Sequence, residues 1–164
     1  PGVALCLVVD RSGSMGGARL ATAAVASSAA ALRSGPDLSV VAFAEDAIVI
    51  KGQAAELAPA VVVERLLALR GRGPTDLALG LRAARLQLDA SRAVRKIAIV
   101  LSDCRATAGD DPLREARLLQ ELAVLAPEND ERDARAFAGA VGARLAVVRG
   151  PASVPGAFAA LFER

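Results

Sequence analysis

Four almost wholly apolar runs constrain this chain more than any other feature: VALCLVV (3–9), LSVVAF (38–43), KIAIVLS (96–102) and LAVLA (122–126). Each has the length of a strand and none alternates polar with apolar residues, so each suits a strand covered on both faces. Segments with helical spacing fall between them, at 17–33, 56–69, 75–88, a short stretch after Pro112, 131–141 and 154–163. In the third of these, Leu77, Leu81, Ala84 and Leu88 form one apolar stripe. AIVI (47–50) follows LSVVAF across the short loop Ala44-Glu45-Asp46 and reads as the second arm of a hairpin, and RLAVV (144–148) reads as a last strand. Strands alternating with helices predict an α/β, doubly wound, mostly parallel central sheet with one short antiparallel edge strand and helices on both faces.

The 164 residues make one ordinary domain, expected to span 1–164, and the start at Pro1 rather than Met predicts a piece of a longer protein. Alanine and valine supply most of the 54% hydrophobic fraction and aromatics only 2%, which suits helices lying flat on a sheet. Net charge is +2, with arginines scattered among acids, so no nucleic-acid partner is expected. No apolar run approaches bilayer length, so no membrane insertion is expected either. The absence of histidine removes Ser-His-Asp and Cys-His catalysis and every His-ligated metal site. Cys6 and Cys104 are too few for a Cys₄ site, and their stagger along neighbouring strands predicts two free thiols.

The chemistry therefore rests on carboxylates, hydroxyls and backbone. DRSGS (10–14) ends the first strand with Asp10, Ser12 and Ser14 at alternate positions, and Asp103 ends the strand at 96–102. Parallel strands place both acids on one rim, at the carboxyl ends where doubly wound sheets bind ligands. Thr75-Asp76 opens a helix at another strand-to-helix junction. Capping accounts for any one of these residues alone, yet five of them, from three separated segments, share the rim. A phosphate cradle would need the glycine spacing of a dinucleotide loop or the lysine of a P-loop, and neither is present. An aspartyl phosphotransferase would want a second acid two residues after Asp10, where Ser12 stands. A divalent cation is a third candidate.

DRSGS with a later Thr75 and Asp103 resembles the metal-ion-dependent adhesion site of von Willebrand factor type A domains, whose motif is Asp-x-Ser-x-Ser, then Thr, then Asp. The resemblance extends over the order of strands and helices. It implies that Ser12, Ser14 and Thr75 offer hydroxyl oxygens to Mg²⁺ or Mn²⁺, while Asp10 and Asp103 act mainly through bound waters. Mg²⁺ is hard, prefers six oxygens and keeps several waters, so such a shell suits it. It also implies a non-enzymatic protein-binding domain, the cation capturing an Asp or Glu carboxylate from a protein partner. Selectivity is expected from the loops at 43–47, 71–76 and 104–111.

LSDCRATAGDDPLREA (101–116) is similar to the TDGRAN…GDP…EA stretch of chelatase subunits, although GPTDL stands where RTPL is common there. The chain thus looks most like the bacterial intracellular branch, the chelatase and MoxR-associated proteins. That implies a cytoplasmic setting and a partner AAA+ (MoxR-type) ATPase. The competing readings are a Mg²⁺-dependent phosphoryl-transfer or hydrolytic enzyme and an extracellular adhesion module. Cys104 stands where the family usually has glycine, a place where a Cβ is disfavoured if φ is positive. It is expected to be a small buried hydrophobe, and Asp110 and Asp111 a solvated loop and a helix start.

Overall fold

Among the residues described by the computed structural model, 2–12, 18–71 and 73–163, six strands form one sheet. They are β1 (Val3–Asp10), β2 (Leu38–Phe43), β3 (Ala47–Lys51), β4 (Arg95–Leu101), β5 (Glu121–Pro127) and β6 (Arg144–Val148), in the order β3-β2-β1-β4-β5-β6. All neighbours are parallel except β2 and β3, joined by the hairpin. The helices are α1 (Ala18–Ser34), α2 (Pro59–Leu67), α3 (Leu77–Asp89), α4 (Pro112–Ala116), α5 (Arg132–Val141) and α6 (Val154–Phe162). The strand order reverses between β1 and β4, so the doubly wound sheet has its switch point where those two strands meet.

The unbroken apolar runs are explained by where their alternate residues go. Leu5, Leu7 and Val9 of β1 face α1, α2 and α6, packing with Leu20, Ala23, Leu66 and Phe158. Ala4, Cys6 and Val8 face α3 and α5, packing with Leu77, Leu81, Ala84, Leu88 and Phe137. Each fully buried Leu or Val contributes about 1.5–3 kcal/mol, so two covered faces make β1 a principal source of stability. Small residues let the helices approach closely. At Gly80 of α3 an added Cβ would lie 2.7 Å from the Phe43 ring, so only glycine admits that aromatic side chain.

Helix ends differ from the sequence expectation where a local residue sets them. α2 begins at Pro59 rather than 56, because proline at the first helical turn needs no partner for a missing N–H. α3 begins at Leu77 rather than 75, because the Asp76 carboxylate accepts a hydrogen bond from Leu79 N and caps the helix. Thr75 is thereby left in the preceding loop. Asp111 caps α4 in the same way, accepting from Leu113 N.

Candidate functional site

Val9 lies opposite Leu101 in the β1–β4 register, so Asp10 and the Ser102-Asp103 pair emerge side by side at the carboxyl ends of the two central strands. Asp10, Ser12, Thr75 and Asp103 are all buried there, none more than 6% exposed. Ser14, the fifth candidate, lies in segment 13–17, outside the described residues.

Asp10 is held from two directions. Its Oδ1 accepts from Ser12 N at 2.8 Å and its Oδ2 from the Ser102 hydroxyl at 2.5 Å. The same hydroxyl oxygen accepts from Cys104 N at 2.9 Å, tying the turn after β4 to the end of β1. Asp103 Oδ1 accepts from Arg105 N at 2.9 Å. Cys104 adopts φ 58°, the left-handed conformation that glycine tolerates best, so the turn keeps a glycine-like shape despite its Cβ. The thiol is buried and forms no disulfide, its Sγ lies 3.8 Å from the Ser102 carbonyl to which it donates, and burial pushes it above the ordinary cysteine range, with Asp103 and Asp10 adding to the effect. Cys6 is also free and buried, opposite Ala98 in the middle of β4 and well short of Cys104.

Thr75 reaches the rim through contacts that its own neighbours in sequence do not supply. Its N–H donates to the Thr107 hydroxyl at 2.8 Å, and its carbonyl accepts from Thr107 N at 3.0 Å and Ala108 N at 3.2 Å. Asp76 N donates to the Ala44 carbonyl at 2.8 Å. The segment before α3 therefore touches both the hairpin loop and the loop after Asp103. Ser102 and Thr107 were not singled out by sequence reasoning. Ser102 could have been noticed as the hydroxyl next to Asp103, but the partner of Thr107 lies 32 residues off in the chain.

Charged groups surround this centre. Arg11, 6% exposed, donates through its backbone to Phe43 O, and its guanidinium pairs with Asp46 and reaches Arg70 O. On the other side Arg105 pairs with Asp130 at 3.1 Å and Asp133 at 2.9 Å. Burial pushes the Asp103 carboxyl above the ordinary aspartate range; Asp130 and Asp10 push the same way, against the Arg105 N–H. A positive charge placed between Asp10 and Asp103 would relieve that strain. Among the described residues no cluster of three acidic or thiol groups is placed to hold a metal. The donors present, two carboxylates with hydroxyls beside them, fit a hard cation that keeps water, and do not fit one demanding thiolate or imidazole.

The family model described as "von Willebrand factor type A domain" matches residues 5–106, more than half of the chain. No curated protein matches the sequence. The fold is similar to that of a von Willebrand factor type A protein from Catenulispora acidiphila, with TM-score 0.74, 23% identity and 96% of this chain covered. The chain spans only 41% of that protein. An aerotolerance-related membrane protein from Bacteroides fragilis superimposes with TM-score 0.75 at 14% identity, covering 98% of each chain. The proximal thread matrix protein 1 of the mussel byssus gives TM-score 0.76 at 19% identity, with 98% of this chain and 45% of that one covered. At such identities the likeness is one of fold. Among the described residues, no helix is long and apolar enough to cross a membrane.

Proposed function

We propose, from the premise that this chain belongs to the von Willebrand factor type A family, that its rim holds Mg²⁺ or Mn²⁺ and binds an acidic residue of a protein partner. Ser12, Ser14 and Thr75 would hold the ion through hydroxyl oxygens, and Asp10 and Asp103 through bound water. The observation that supports this reading is the meeting of two buried carboxylates, Asp10 and Asp103, at the switch point of the sheet, with Ser12 bonded to Asp10 through its N–H and the Thr75 backbone tied to the loop after Asp103. Bound there, the cation would supply an incompletely neutralised positive charge that attracts one more anionic oxygen. Ser102 and the Ser12 N–H orient Asp10, while the loops at 44–46 and 73–76 and the loop at 104–109 shape what can approach.

Type A domains are in general interaction modules rather than enzymes. The similarity of residues 101–116 to chelatase subunits supports an AAA+ (MoxR-type) ATPase as the assembly this domain serves, in the cytoplasm. Two free, buried thiols are compatible with that setting. A binding assay with a purified MoxR-type ATPase tests the reading. Binding should be lost in EDTA, restored by Mg²⁺, and lost again when the partner's contacting Asp or Glu is changed to its amide. Equal binding in EDTA would overturn it, and ATP or phosphomonoester turnover by the domain alone would favour an enzyme.

A further inference from the structure

We propose, resting on the reading that this rim holds a divalent cation, that Thr107 is a positioning residue which aims the Thr75 hydroxyl at the ion. Thr75 lies in a loop, so no helix or strand fixes it. Its backbone is nevertheless clamped on both sides by one short segment: the Thr107 hydroxyl accepts its N–H at 2.8 Å, and the Thr107 and Ala108 amides donate to its carbonyl. The next residue is anchored as well, through Asp76 N to Ala44 O and through the Asp76 cap on α3.

The clamp closes through Gly109, which has φ +85° and runs so near Asp76 that an added Cβ would sit 2.1 Å from its carboxylate. With both backbone groups of Thr75 committed, its φ and ψ are held, and because a β-branched side chain is restricted at χ1 on a fixed backbone the clamp limits where the hydroxyl can point. The clamp does not itself use that hydroxyl. Since the same loop begins at Asp103, only four residues before Thr107, the clamp also sets the separation of two candidate ion-holding groups from different parts of the chain.

Thr107 is exposed, so a fold contact and a positioning role can be told apart. Thr107→Val keeps the shape of the side chain but removes the acceptor, and Thr107→Ser restores the acceptor. Mn²⁺ titration calorimetry should show Thr107→Val binding about tenfold more weakly, in the range typical of groups that orient metal ligands. Thr107→Ser should bind like the original protein. In metal-free protein, hydrogen exchange at the Thr75 amide should quicken in Thr107→Val alone, with the melting temperature lowered by no more than about 4 °C. Mn²⁺ binding by Thr107→Val equal to that of the unaltered protein, or a Ser variant as weak as the Val variant, would overturn the role of Thr107 and leave the cation reading standing. Failure of the unaltered protein to bind Mn²⁺ would overturn the cation reading and this inference with it.

Discussion

The two ends of the same sheet treat charge in opposite ways. At the amino ends, Arg95 of β4 and Glu121 of β5 meet in a bidentate pair, at 2.7 and 2.9 Å. Asp37, just before β2, accepts from Gln53 and Ser91, each at 2.7 Å. Buried Lys51 donates to the carbonyls of Pro36, Leu38 and Gly52. At the carboxyl ends of β1 and β4 the neighbours are two acids, Asp10 and Asp103, with Asp130 close by. The titration directions follow: the Arg95 guanidinium holds Glu121 below the ordinary glutamate range, whereas burial and neighbouring acids hold Asp103 above the aspartate range. At one end each of these charges meets an opposite charge or a hydrogen-bonding partner. At the other, Arg105 pairs with Asp130 and Asp133 while Asp10 and Asp103 face each other with no ion pair of their own among the described residues, the arrangement that the proposed cation would relieve.

Changing the two ends separately should separate affinity from stability. The largest effect is expected for Asp10→Ala, which should lower Mn²⁺ affinity about 100-fold, the upper end for groups acting behind the ligands, while unfolding stays cooperative. Next, Asp103→Asn should also weaken Mn²⁺ binding. It should leave the metal-free protein as stable as before or about 0.5–1 kcal/mol more so, because a like charge is removed and an amide oxygen can still accept from Arg105 N. A marked loss of stability in chemical denaturation would contradict the contrast between the ends.

Arg95→Ala should do the reverse, leaving Mn²⁺ binding intact and costing a few tenths to about 1 kcal/mol, since both partners are some two-fifths exposed and screened. Its pH dependence has a definite sign. With the folded pKa of Glu121 lowered, the pair's contribution is present above the unfolded value near 4.3 and fades as pH falls towards the lowered folded value. Denaturation curves of Arg95→Ala and the unaltered protein should therefore differ at pH 6 and converge in acid. The smallest effect belongs to the thiols. Burial pushes Cys6 up to about 12, so a thiol reagent at pH 8 should leave it unmodified in the native protein and find both cysteines free after denaturation.

The strands were readable because burial on both faces writes itself as unbroken apolar runs, and the α3 stripe because one covered face repeats at helical spacing. Asp10 and Asp103 could be placed on one rim because parallel strands of known length leave little choice. The missing glycine at 104 pointed to a real feature, a non-glycine residue in left-handed conformation. The clamp on Thr75 was not readable. Thr107 lies 32 residues away, and its partners are backbone groups, which carry no sequence identity. Ser102 stood in view beside Asp103 at the end of an apolar run, but a lone hydroxyl there gives no sign that it links Asp10 to Cys104.

The central claim is that the cation belongs to the end where like charges meet. Amide NMR spectra recorded with small additions of Mn²⁺ test it directly, since the paramagnetic ion broadens signals near it. Broadening should be strongest at Ser12, Thr75, Asp76, Asp103 and Arg105, absent at Asp37, Arg95 and Glu121, and reversed by EDTA. Broadening centred on the amino ends, or none at Asp103 and Thr75 while other signals disappear, would contradict the account.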